Sequence, residues 1–415
     1  MKVIKNVVSQ INRAPTLQIT IAILSVGFLL RCIIAPFTLN WDLLANTKTI
    51  YSWSQLSSRE FYEQPLATYP PLTYHTLSFF LRSSMVLLGP NFTKWVNLPD
   101  LFLLTDPYIF RYLFAIKLPY ILLELTTAFF FSKIFALRLQ SKALLFWMLN
   151  PIALFTLTAW TNVDVLPILC MVLGIYFYLR RGSIVWSAVS FGFGVAFKLF
   201  PIFAVPFFLL TLRSWRQRVF AAALIALPVA LTHYPLLKVS AYWAHVIFGG
   251  QSQNVFYFSA IPLGLDRVLL FFYFSYALIL FHFSTVSRRK TLLPLYMWCS
   301  LLPIFLFSKF NVPWMYWLIP LLIMHLISQK ALSFSHSLYI FYFLIIFLSQ
   351  ASLNIGMLAP LEPTLSTLDW PVRDVLKSGQ TNNLLSICQS IFSAALITVA
   401  WIIYQKKIDP LYEKA

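Results

Sequence analysis

The sequence predicts an all-α fold, a polytopic helical membrane protein of about twelve transmembrane helices. Its first outer loop is expected to carry interfacial helices. Three observations predict this class. Of 415 residues, 60% are hydrophobic and only 11% charged, which excludes an ordinary soluble domain. Apolar runs of spanning length recur from end to end and are continuous rather than alternating, which selects helices over a barrel. The basic residues fall in short clusters between those runs, the pattern of loops retained on the cytoplasmic side.

Taken in order, the chain starts with a basic segment, MKVIKNVVSQINR, followed by an apolar run of roughly 23 residues, Leu17 to Leu39. That run is too long for a cleaved leader and lacks a small-residue cleavage site, so it reads as the first helix. Lys2, Lys5 and Arg13 hold its N-terminus in the cytoplasm. The interval Asn40–Thr73 is therefore outside. It mixes acidic, basic, amide and hydroxyl groups with six aromatics and ends at Tyr69-Pro70-Pro71.

The run Leu72 to Leu88 is expected to lie flat at the interface. The two prolines break a vertical helix, and His75 and Arg82 suit an interfacial one. A crossing there would also place Lys133, Arg138 and Lys142 outside and invert every later basic cluster. Ile109–Phe131 is the second span. Further spans are expected at roughly 142–159, 165–180, 183–197, 199–212, 218–236, 261–283, 291–308, 313–328, 336–358 and 385–404. Both termini then lie in the cytoplasm, with Arg180/Arg181, Arg213/Arg216/Arg218, Arg288/Arg289/Lys290, Lys330 and Lys406/Lys407 all inside. The segments 183–197 and 199–212 are each short and meet at Phe197-Lys198-Leu199-Phe200-Pro201, so the chain is expected to dip there and return around a cavity. The whole chain, 1–415, reads as one transmembrane domain, with a core over 17–328 and C-terminal helices over 336–404.

A net charge of +18 does not indicate nucleic acid, because no basic stripe is interleaved with aromatics. Cys32, Cys170, Cys299 and Cys388 show no pairing pattern and read as small core residues. Polar groups instead collect at the outer ends of helices: Asp42, Tyr69, His75, Asp164, Lys198, His233, His245, Arg267 and Lys309. Asp42, under aromatic cover, has the makings of a general base, or is a helix-end residue facing water. Asp164, in Trp160-Thr161-Asn162-Val163-Asp164, either positions a substrate or caps a turn. Lys198 and Lys309 either meet a lipid phosphate or snorkel to the headgroups. Trp314, Tyr316 and Trp317 read as an interfacial aromatic belt. The histidines lack metal-ligand spacing. Glu124 is expected to pair with Lys117 or Arg111 of its own helix in a structural role.

These residues carry a resemblance. Trp41-Asp42, then Tyr69-Pro70-Pro71-Leu72-Thr73-Tyr74-His75, resemble the first outer loop of polyprenyl-phosphate-sugar-dependent GT-C glycosyltransferases. YPPLTYH looks like the segment of the glucosyltransferases that extend the lipid-linked oligosaccharide. Leu149-Asn150-Pro151 with Trp160–Pro167, Phe197–Pro201 and Lys309–Pro320 are similar to bacterial membrane mannosyltransferases. The resemblance covers about residues 17–328 in order.

It implies a hexosyltransferase in which Asp42 is the catalytic base. Lys198 would hold the polyprenyl phosphate, and Asp164 would help form the acceptor or sugar site, with Tyr69, His75 and Lys309 also at the substrate. The partners implied are a polyprenyl-phosphate sugar, with mannose or glucose as the hexose, a lipid-linked or glycan acceptor, and membrane lipid. Leu44 stands where relatives carry a second carboxylate, so no metal and no cofactor is expected. Thr161-Asn162 stands where many relatives have Gly-Gln. Compact loops favour a bacterial plasma membrane, with the site on the extracytoplasmic face. A lipid-linked-saccharide flippase, marked by charged or helix-breaking residues in mid-span, and a glycan polymerase are the alternatives.

Overall fold

The computed structural model describes residues 17–64, 67–257, 259–263, 267–287, 289–308, 311–328, 333–349, 354–366 and 378–405. Lys309, Arg288, Lys330 and the basic residues of both terminal segments lie outside the described residues. The chain is helical almost throughout. Among the described residues the exception is one small antiparallel pair, β1 (Ala260–Pro262) and β2 (Val268–Leu270), in which Ile261 faces Leu269. The segment expected to span over 261–283 therefore enters its helix later, at Phe271.

Helix α1 (Leu17–Ile34) runs into a 3-10 turn at Ala35–Phe37 and stops. A new helix, α2 (Trp41–Trp53), begins just beyond it. The outer interval is thus mostly helical: α2, a short turn at Ser58–Tyr62 closed by a capping box between Ser57 and Glu60, and α3 (Pro71–Leu88). Pro70 and Pro71 suit the start of α3, where a missing N–H costs nothing. The long helix α4 (Ile109–Ile134) follows, then α5 (Leu137–Met148), which bends by 44° into Pro151–Ala159. Next come α6 (Val165–Arg180), α7 (Ile184–Phe197), α8 (Val205–Thr211) and α9 (Trp215–His233). The remainder comprises α10 (Phe271–Thr285), α11 (Arg289–Cys299), α12 (Ile319–Ser328), α13 (Ser333–Leu348) and α14 (Ser378–Gln405).

Five helices among the described residues are long and apolar enough to cross a membrane: Leu17–Phe37, Ile109–Ile134, Trp215–Leu236, Arg289–Phe307 and Gly379–Gln405. The bent pair after α4 makes a sixth, and shorter apolar helices such as α6, α7 and α10 lie between them. Helix α3 is not one of the five. Helices α6, α7 and α9 pack side by side, with α4 against α6 and α5. Gly192 on α7 sets the approach to α9, because a Cβ there would lie 2.5 Å from the Ile225 carbonyl oxygen.

One ion pair ties α1 to α4 and to the end of α5, and it corrects the expected partner of Glu124. Arg31 of α1 forks onto Glu124 of α4, with Nε to Oε2 at 2.6 Å and Nη2 to Oε1 at 2.7 Å. Its Nη1 donates to the carbonyls of Gly27 and Met148, both at 3.0 Å. Arg111 bonds the Leu87 carbonyl instead. Both members of the pair are fully buried, so the guanidinium fork answers every lone pair that the buried carboxylate exposes along that side. Removing one partner leaves a buried charge uncompensated, at a cost of about 3–5 kcal/mol. Arg31→Met is expected to lower the melting temperature in detergent sharply, and Arg31→Met with Glu124→Leu to recover most of it. A single variant as stable as the double would contradict this role.

Candidate active site

The site is built where the N-terminal ends of α2 and α6 meet the C-terminal end of α7. Asn40 caps α2 in an extended conformation, and its side chain accepts the amide of Asp42 at 2.8 Å. Asp42 therefore stands in the first helical turn, where unpaired N–H groups favour an anion. Trp160 donates its indole N–H to Asp42 Oδ2 at 3.2 Å. The Asp42 side chain is exposed on the cavity side; desolvation by the surrounding protein still raises its pKa above the ordinary carboxylate value, while the Trp160 hydrogen bond and the nearby Lys198 charge pull it back down.

Lys117 fixes this pairing from beneath. Its ammonium, fully buried in α4, donates to Thr38 O at 2.6 Å and Thr38 Oγ1 at 2.8 Å. It also donates to the carbonyls of Thr158 and Ala159 at 3.1 and 3.2 Å. Thr38 precedes the Asn40 cap and Ala159 precedes Trp160, so one ammonium ties together the two backbones that bring Asp42 and Trp160 into contact. Next in the chain, Thr161 has φ 69°, a left-handed conformation that a β-branched residue holds only under strain.

Asp164 is fully buried and does not line the cleft. Its Oδ1 takes Lys198 Nζ at 2.5 Å, and its Oδ2 accepts Trp317 Nε1 at 2.6 Å and Asn162 Nδ2 at 2.9 Å. Asp164 thus stands behind Lys198. Helix α7 ends at Lys198, which is extended (φ −159°, ψ 143°), and Pro201 opens the next short helix. Thr73 of α3 donates to the Phe197 carbonyl at 2.5 Å, which pins the broken step to the start of α3. Lys198 Nζ lies 5.5 Å from the Tyr69 ring and 5.4 Å from that of Trp317, within cation–π range.

Trp317 is stacked between Phe200, at 4.0 Å, and Trp314, at 5.0 Å. Trp314, Tyr316 and Trp317 are all buried. The reading of these three as a lipid-facing belt is therefore corrected: Trp317 spends its N–H on Asp164, and Trp314 faces the cleft.

Asp42, Ala45, Asn46, Thr49, Tyr69, Trp160, Lys198 and Trp314 line a cavity of about 180 Å³. The Tyr69 hydroxyl meets the Asn46 side chain, and burial raises its pKa well above the usual phenol value. Asp42, Tyr69 and Lys198 are thus brought together, with Asp164 one layer behind. His75 is not at this cavity. It lines a separate one of about 330 Å³. Lys309 lies outside the described residues. Sequence reasoning gave Arg31 and Trp160 no individual role, Lys117 only a pairing with Glu124, and Trp317 only a place in an aromatic belt. A lysine and an arginine inside apolar runs were the available signal, but nothing in the sequence named their partners.

The profile of glycosyltransferase family 87 matches residues 101–308. The chain belongs to glycosyltransferase family 87. It is an enzyme of the GT-C type, a membrane glycosyltransferase. No curated protein matches it. The family 87 match contains Asp164 and Lys198, whereas Asp42 and Tyr69 precede it in the chain. The fold brings those two onto the family 87 portion through the Trp160 and Lys198 contacts above. A family 87 enzyme binds a sugar donor and an acceptor, and this cleft offers a carboxylate and a cation on one shared surface.

Proposed function

We propose that the protein moves a hexose, mannose or glucose, from a polyprenyl-phosphate donor to a lipid-linked or glycan acceptor. The reaction takes place on the extracytoplasmic face of a bacterial plasma membrane. One observation carries this reading: Asp42 and Lys198, of opposite charge, line the same cavity. Asp42 takes the proton of the acceptor hydroxyl as its oxygen attacks the anomeric carbon. The bond from that carbon to the phosphate oxygen breaks, and its electron pair leaves with the polyprenyl phosphate, whose charge Lys198 neutralises. Asp42 is the one carboxylate among the described residues of the cavity, which suits a single inverting displacement rather than a covalent intermediate. Asp164 orients Lys198, Tyr69 covers it, and Lys309 lies close in sequence to Asn311 of the cavity wall.

The flippase alternative would use charged or helix-breaking residues in mid-span, and Pro119 does lie inside α4. Glu124 and Lys117, however, are both engaged, one by Arg31 and the other by four backbone and hydroxyl oxygens. If each of the shorter apolar helices crosses once, they and the longer spans would together make about twelve crossings in one domain, with both termini inside and α3 at the interface.

The test is a donor panel. Purified protein in detergent, with membrane lipid extract as acceptor, should consume a polyprenyl-phosphate hexose and no nucleotide sugar, with or without chelator. Use of a nucleotide sugar alone would refute the donor class.

Because Asp42 must be ionised to act, activity should fall as pH drops through its raised pKa. Trp160→Phe removes a donor that lowers that pKa, so the acid limb of kcat/KM should move to higher pH. An unmoved limb would mean that another group controls it.

A further inference from the structure

The second cavity is lined by Trp53 and Ser54 at the end of α2, Ser58, and His75, Ser78 and Arg82 of α3. Arg82 has no hydrogen bond or ion pair with any described residue. His75 meets only the edge of Trp53, at 4.9 Å. Burial lowers the His75 pKa, so at neutral pH Arg82 supplies the fixed charge and His75 a neutral N–H. Ser58 and Ser78 border this space beside Arg82 and His75, with no acidic residue on its wall, while the Ser54 hydroxyl donates to the Tyr51 carbonyl at 2.7 Å. The same face of α3 carries Phe79, 65% exposed, and Val86, 88% exposed. The sequence positions 75, 79, 82 and 86 form one helical stripe. A stripe of exposed apolar side chains with a cation and a polar N–H set among them is how a helix meets lipid tails and phosphate headgroups together.

We propose that this cavity binds the phosphate of an anionic lipid, the lipid portion of the acceptor, while the donor phosphate sits at Lys198. The assignment to the acceptor rests on the proposed transferase reading. Helix α2 links the two places. Asp42, Ala45, Asn46 and Thr49 line the first cavity and Trp53 the second, at spacings that share one helical face. From Asp42 to Trp53 the helix rises about 16 Å. That span exceeds one pyranose ring, so the acceptor carries a short oligosaccharide between its phosphate and the accepting hydroxyl.

The test uses dihexanoyl-phosphatidic acid, dihexanoyl-phosphatidylcholine and inorganic phosphate as probes on the full-length protein in neutral detergent, read by tryptophan fluorescence. Phosphatidic acid should bind saturably. Arg82→Gln should weaken it by about ten- to a hundredfold, the scale of one charged hydrogen bond, and Asp42→Asn should leave it unchanged. Binding indifferent to Arg82→Gln would overturn the site, and inorganic phosphate binding as tightly would overturn its lipid character. In the transfer reaction, phosphatidic acid should compete with acceptor and not with donor. Competition with donor would overturn the assignment to the acceptor. The binding arm needs no turnover, so failure of the transferase reading and failure of this site are separately visible.

Discussion

Asp42→Asn is expected to lower kcat for sugar transfer by about 10²–10⁴-fold with the melting temperature unchanged. The substitution keeps the shape of the side chain and an oxygen to accept the Trp160 indole N–H, and the Asn40 cap bonds the backbone rather than the side chain of residue 42. Only proton acceptance is lost. A transferase without its base retains the binding contributions of the cleft, so donor and acceptor KM should change little. Full activity in a well-folded Asp42→Asn protein would remove Asp42 from the mechanism.

The second large effect is on stability as well as activity. Lys198→Met strips the counter-ion from Asp164, a carboxylate with no exposed surface. Its two neutral donors, Trp317 and Asn162, do not cancel a full charge. The expected loss is about 3–5 kcal/mol, seen as a lowered melting temperature together with loss of transfer. Lys198→Met with Asp164→Asn should regain most of the stability, because no charge remains to strand, yet stay inactive, because the donor phosphate has no cation. Transfer restored in the double variant would show that Lys198 serves only to neutralise Asp164.

The sequence showed the parts of this site that lie along the chain. A polar interval after an apolar run pointed to Asp42, and two prolines to the start of α3. A lysine flanked by aromatics and followed by Pro201 pointed to the break at Lys198. The contacts between distant segments were not visible. Arg31 meets Glu124 across 93 residues, and Trp317 meets Asp164 across 153. In a water-soluble helix the polar face would show which side is buried. Here lipid-facing and bundle-facing sides are both apolar, so periodicity does not say what a buried charge touches. The same ambiguity assigned Trp314 and Trp317 to an outer belt, although they are packed against the site. The length of the outer loop was legible, but its helical content was not, because α2 holds only a modest apolar pattern among its hydroxyls and amides.

The most direct measurement of the central claim is the anomeric configuration of the transferred sugar, by NMR of the product formed from a polyprenyl-phosphate hexose of known anomer. A single displacement with Asp42 as base predicts the opposite anomer in the product. Retention would require a covalent or equivalent intermediate, making Asp42 a nucleophile or a bystander, and would contradict the account.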